Sequence, residues 1–242
     1  MNILKTGPKF IQGYFQTRKL IANKPEILEL RERGDIEGEK DAIRRAQKEW
    51  VEGISKVLKF TFEVTGWENI PDKAPFMVYS NHQSYSDIAA TLWIMKDRYP
   101  MSYVAKEEWR KYGTLRDVIE LSRSLYLVRN NPKEAIRALS EAKDLLDQGF
   151  PLLIFPEGTR SKRHEMGEFK AGAFKFAEKA KVPILPVTVD GGYHFFEELG
   201  TYQPAHIKVT IHPLVHIEDM DKHEQKEAQA NIEKMIKGAL DR

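Results

Sequence analysis

The 242-residue sequence contains no cysteine. That absence excludes disulfides, a thiolate nucleophile, cysteine-ligated zinc and iron–sulfur clusters, and it leaves the redox compartment open. Long hydrophobic runs are missing as well. No stretch approaches the ~18 apolar residues of a membrane span, and the longest uncharged segment, Ala74–Ser86, is half polar. Pro8, Lys9, Gln12 and Gln16 interrupt any apolar run of a cleavable leader. A surplus of one charge sign is also lacking, with 38 basic residues against 36 acidic, so nothing calls for nucleic acid. The phosphate-loop, dinucleotide and zinc-protease signatures are absent, and so is the serine-hydrolase elbow. The expectation is a cytoplasmic protein, or one held on the cytoplasmic face of a membrane without a span.

Hydrophobic residues make up 41% of the chain, enough for a sizeable core. The first 25 residues carry Lys5, Lys9, Arg18, Lys19 and Lys24 and no acid. Phe10, Ile11, Tyr14 and Phe15 fall there at helical spacing, and Pro8 suits a first helical turn. Gly34 breaks the chain before a second helix, roughly 37–57, striped by Ile43, Ala46, Trp50, Ile54 and Val57. Residues 1–58 are therefore expected to form a two-helix N-terminal segment, basic and amphipathic enough to meet a membrane surface if the substrate requires one. Its alternative is a helix simply packed on the rest.

From Phe60 the period switches to two and stops at Gly66. Apolar runs at 76–79, 125–128, 152–155, 184–189 and 207–211 then alternate with helical stretches at 88–95, 133–147 and 171–181. A last amphipathic helix over 222–240 is expected to cover the sheet. Such alternation predicts an α/β fold over 59–242, a mixed, largely parallel sheet flanked by helices. Ligands gather at the carboxyl ends of parallel strands, so functional motifs should follow strands here.

Two do. Asn81-His82-Gln83-Ser84-Tyr85-Ser86-Asp87 follows the strand at 76–79. A histidine removes a hydroxyl proton near neutral pH, and a carboxylate fixes its tautomer. The spacing alone is weak: with seven histidines, chance supplies roughly one such pair in every three chains of this composition. His216 and Asp221 repeat it beyond the last strand, where it reads as solvated surface. The second motif, Phe155-Pro156-Glu157-Gly158-Thr159-Arg160-Ser161, follows the strand at 152–155. Its proline and glycine set a rigid turn, and Arg160 offers a planar fork for phosphate or carboxylate. Glu157 beside Arg160 could instead form an internal ion pair. A base on one loop and an anion clamp on the next suit a phosphate-bearing alcohol.

These blocks resemble those of the glycerolipid acyltransferases, above all the bacterial 1-acylglycerol-3-phosphate acyltransferases. The N-H-x-x-x-x-D block matches 81–87 and F-P-E-G-T-R-S matches 155–161 in full. Val182-Pro183-Ile184-Leu185-Pro186-Val187, Phe169–Phe174 and the lead-in Val64–Pro71 are similar to further family blocks, in family order. A fourth block fits in part, through Ala105-Lys106-Glu107-Glu108 and Arg129. There Arg123 stands where the family has glycine, in a stretch expected to face membrane and substrate.

The resemblance implies acyl transfer from acyl-CoA or acyl carrier protein to the sn-2 hydroxyl of lysophosphatidic acid, giving phosphatidic acid. His82 would be the general base and Asp87 its partner. Arg160, Lys106 and Arg129 would hold the phosphate beside Glu157, Gly158 and Thr159, with backbone N–H groups near Gly158 or after His82 for the oxyanion. No cofactor, metal or acyl-enzyme is implied. The membrane surface would be met through the basic N-terminal helix. Competing readings are another acceptor (glycerol-3-phosphate or a lysophospholipid), a non-catalytic lipid-binding scaffold, and a phosphoesterase.

Overall fold

The computed structural model describes residues 3–128 and 131–240. Helices α1 (Ile3–Ala22), α2 (Lys24–Glu32) and α3 (Ile36–Leu58) precede strand β1 (Phe60–Thr65). Strand β2 (Met77–Ser80), helix α4 (Asp87–Met95), strand β3 (Ser102–Lys106), helix α5 (Gly113–Leu121) and strand β4 (Leu125–Leu127) follow. Helix α6 (Pro132–Asp147), strand β5 (Leu152–Ile154), helix α7 (Ala171–Ala180), strands β6 (Ile184–Asp190) and β7 (Ala205–Ile211), and helix α8 (Lys222–Leu240) complete the chain. The seven strands lie in the order β1-β7-β6-β2-β5-β3-β4. Only the β6–β7 pair is antiparallel. Strands β2 to β6 therefore all end at one edge of the sheet.

Central strand β2 is buried on both faces, as its unbroken apolar run requires. Met77 and Tyr79 join one core cluster with Leu152, Phe174 and Ile232. Phe76 and Val78 face the other, with Leu92, Met95 and Val187. The chain leaving β2 is thus clamped on both sides, which is what a site at its end needs.

The N-terminal part has three helices rather than two. Asn23 donates its side-chain amide to the carbonyls of Lys19 and Leu20 and ends α1, and Pro25 in its first turn starts α2. These helices are not a detached arm. Leu20, Ile27, Ile43 and Ala46 lie in the same core cluster as Met77 and Leu152. Helix α1 buries Gly13 and Leu20 and turns outward Phe10, Ile11, Tyr14 and Phe15, which are 43%, 59%, 50% and 60% exposed. The packed alternative therefore describes one face of this helix, and the other face is left apolar and exposed. Lys9 is not on the outer face: its ammonium bonds the Val57 carbonyl at 2.8 Å, at the end of α3.

Arg123 also departs from expectation. It precedes β4, at the sheet edge opposite the ends of β2 and β5, and adopts a left-handed φ of +50°, a conformation that costs a non-glycine roughly 1–2 kcal/mol. Its guanidinium is held by the fully buried Glu39 of α3, by Gln148 and by the ring of Phe150. Arg31 shares Glu39 Oε1 with Arg123, donating to it at 2.7 Å. The residue in place of glycine therefore ties α3 to the sheet, away from the candidate site.

Candidate active site

Asp87 opens α4, where the helix N-terminus favours negative charge. Its fully buried carboxylate takes three bonds on Oδ2: from His82 Nδ1 at 2.8 Å, Gln83 N at 2.7 Å and Ser84 N at 2.8 Å. A carboxylate only accepts, so Nδ1 is the donor here, and in the neutral imidazole Nε2 is then the acceptor. Burial pushes the Asp87 carboxyl above the usual carboxylate range, and His82 with the two backbone N–H groups pulls against it. The imidazole also stacks on Phe155, with ring centroids 3.9 Å apart and planes 11° apart. Asn81 locks the base of the loop by exchanging both amide bonds with the Val189 backbone at 2.8 Å.

The loop after β5 is sewn to this one. Glu157 is buried, and its two oxygens accept from His82 N at 2.6 Å and Gly167 N at 2.7 Å. Ser161 N and Lys162 N donate to the carbonyls of His82 and Gln83 at 2.7 and 3.2 Å. Burial raises the Glu157 carboxyl, opposed by the two N–H groups it accepts from. Glycine at 158 has φ +68° and donates its N–H to the Phe155 carbonyl at 2.9 Å, closing the turn. Every N–H from His82 to Ser84, and that of Gly158, is therefore engaged within the protein.

Arg160 does not pair with Glu157. Its Nη1 donates to Glu197 at 2.7 Å, and its guanidinium lies 3.5 Å from the Tyr85 ring centroid. Glu197 also accepts from the Ser84 hydroxyl at 2.7 Å and from Tyr85 N at 3.2 Å. Thr159 is exposed at the tip of the loop. Lys106 ends β3 at the same sheet edge, 3.7 Å from Glu108. Arg129 lies outside the described residues. The decoy pair stays apart: His216 meets Glu218, while Asp221 accepts from the N–H groups of His223 and Glu224 at the start of α8.

Three contributors escape a sequence reading. Phe155 reads as one more core residue of its strand, and Glu197 belongs to a segment without period. Gly192 packs so closely that a Cβ there would lie 2.5 Å from Asp87 Oδ1 and 2.9 Å from the Ser86 hydroxyl oxygen. Gly192→Ala must therefore displace the carboxylate that orients His82. A misplacement of about 1 Å costs up to ~10²-fold, and a fall of that size in turnover is the expected outcome, together with a lower melting temperature, since overpacking a buried site costs about 1–3 kcal/mol.

The chain belongs to the acyltransferase family: the family model described as Acyltransferase matches residues 61–190, more than half of the chain. Among individual proteins, it is 33% identical over 161 residues to the 1-acyl-sn-glycerol-3-phosphate acyltransferase alpha of Mus musculus. It is 34% identical over 163 residues to the 1-acyl-sn-glycerol-3-phosphate acyltransferase of Pseudomonas aeruginosa. These matches cover 65% and 67% of this chain, but only 56% and 62% of the two relatives. The crystal structure of the 1-acyl-sn-glycerophosphate (LPA) acyltransferase PlsC from Thermotoga maritima superposes with a TM-score of 0.79 at 26% identity. That likeness covers 100% of this chain and 97% of the other, so it includes the N-terminal helices.

Proposed function

We propose that the protein transfers a fatty acyl group from a thioester, acyl-CoA or acyl carrier protein, to the sn-2 hydroxyl of 1-acylglycerol-3-phosphate. The observation that carries this is His82, held by Asp87 with Nε2 free to accept, on a loop sewn to the one bearing Arg160. The relatives named as 1-acyl-sn-glycerol-3-phosphate acyltransferases support the choice of acceptor. His82 Nε2 takes the hydroxyl proton as the oxygen attacks the thioester carbonyl. The tetrahedral adduct collapses, the C–S bond breaks, and the thiolate leaves with the proton from the imidazolium. Arg160 and Lys106 hold the acceptor phosphate, beside the Glu157–Thr159 turn, and no acyl-enzyme forms.

Free thiol release from acyl-CoA on adding lysophosphatidate tests the proposal, and the chain lacks cysteine, so it adds no background. Release that depends on the acceptor supports it. Release with neither acyl-CoA nor acylated carrier protein overturns it.

Acceptor and product reside in bilayers, and α1 supplies a docking face. Among the described residues no helix is long and apolar enough to cross a membrane. The outer face of α1 instead carries four large apolar side chains, with exposed Arg18 and Lys19 at its end for anionic headgroups. Exposed Tyr112, just before the adjacent α5, and Leu115 within it add apolar surface beside α1. We assign the protein to the cytoplasmic face as a peripheral or monotopic enzyme. A variant carrying Ile11→Glu and Phe15→Glu should bind vesicles of anionic phospholipid at least tenfold less tightly in sedimentation, since burying each such side chain contributes about 1.5–3 kcal/mol. Unaltered vesicle binding would remove α1 from the docking surface.

A further inference from the structure

Glu197 has the burial and the partners of a working residue, yet it lies outside both motif loops and outside the matched family region. Its side chain is 2% exposed, a rare state for a carboxylate unless it is paired. One oxygen holds Arg160 Nη1 at 2.7 Å and Tyr85 N at 3.2 Å, and the other holds the Ser84 hydroxyl at 2.7 Å. Ser84 in turn gives its N–H to Asp87 Oδ2, which bonds His82. Arg160, Glu197, Ser84, Asp87 and His82 therefore form one unbroken chain of hydrogen bonds. It joins the anion clamp of one loop to the base of the other.

We propose that Glu197 is a positioning residue that couples acceptor-phosphate recognition to the base. The idea rests on the acyl-transfer reading above. Without Glu197, a long arginine side chain at the mouth of the site would sample many rotamers, and holding it would cost conformational entropy when the phosphate arrives. With Glu197, one face of the guanidinium lies on Tyr85, one donor is tied, and the remaining donors are pre-aimed. The same carboxylate offsets part of the charge of Arg160, so its contribution to selectivity comes from pre-aiming the donors at a phosphate, which a neutral headgroup does not engage. Glu197 thereby sets selectivity for a phosphomonoester over a neutral glycerol headgroup.

The test compares kcat/KM for lysophosphatidate with kcat/KM for the matching 1-acylglycerol, which lacks the phosphate. A variant that merely loosens the fold lowers both values together and leaves their ratio unchanged. Glu197→Ala and Glu197→Gln should lower the ratio at least tenfold, and Arg160→Ala should do the same. The Glu197→Ala/Arg160→Ala double variant should show no further loss of ratio, because the two residues act through one clamp. Ser84→Ala removes the hydroxyl link from Glu197 to the base loop, together with the acceptor of the Ser86 N–H, and leaves the Arg160–Glu197 pair in place; it should lower turnover on both acceptors at an unchanged ratio. An active protein whose ratio survives both Glu197 substitutions overturns the inference alone. Absence of thiol release by the unaltered protein with both acceptors and both donors overturns the acyl-transfer reading, and the inference with it.

Discussion

Replacing His82 by alanine is expected to lower kcat for acyl transfer by about 10²–10⁴-fold, the usual contribution of a positioned general base. The acceptor KM should change little, because in the proposed mechanism Arg160 and Lys106, not His82, carry the phosphate. Several features make this residue hard to replace. Its Nδ1 is committed to Asp87, Phe155 covers one face of the ring, and its own N–H and C=O are bonded to Glu157 and Ser161. The imidazole thus has one orientation, with Nε2 as the atom left for the proposed proton transfer. His82→Gln keeps an amide of similar reach and should be as inactive as alanine, since an amide does not accept a proton near neutral pH. A His82→Ala protein that retains acceptor-dependent thiol release would require another base. The nearby His164, 3.7 Å from Asp190, would be the first to examine.

The parts of this site that the sequence discloses are those set by strand ends. Strands β2 and β5 read as short apolar runs because both their faces are buried, and the motifs follow them directly. Position also separates His82 and Asp87 from the identical spacing of His216 and Asp221. The first pair leaves a buried strand and enters a helix, so the carboxylate folds back over backbone N–H groups. The second lies beyond the last strand on the surface, where Asp221 caps a helix and the histidine finds another acid. What stays hidden depends on distant contacts. Glu197 meets Ser84 from 113 residues away, and nothing local marks a glutamate in a 3-10 and turn region as buried. Strand β3 is five residues of mixed polarity, with no clean alternation or apolar run to announce it. Arg123 in a left-handed turn makes sense only once Glu39, 84 residues earlier, comes into view.

Glu157→Gln is expected to unsettle the fold and the chemistry together, which a residue that only touched substrate would not do. The carboxylate accepts one backbone N–H on each oxygen, from His82 and from Gly167. Glutamine keeps a single acceptor and aims its NH₂ at the other donor. One buried N–H is then left unpaired, at a cost of about 1–3 kcal/mol, or a melting temperature lower by roughly 2–10 °C for a chain of this length. The bond most exposed to this loss is the one that holds His82 from behind, so the imidazole shifts with its backbone. A displacement near 1 Å supports a fall of ~10²-fold in kcat, with the acceptor KM close to that of the unaltered protein. If Glu157 instead gripped a glycerol hydroxyl, the variant would show the opposite pattern, a raised KM at an unchanged melting temperature. Thermal unfolding and steady-state kinetics on the one variant separate the two. The sewn loops favour the first outcome, because a side chain with both oxygens already committed to the backbone has little left to offer a ligand.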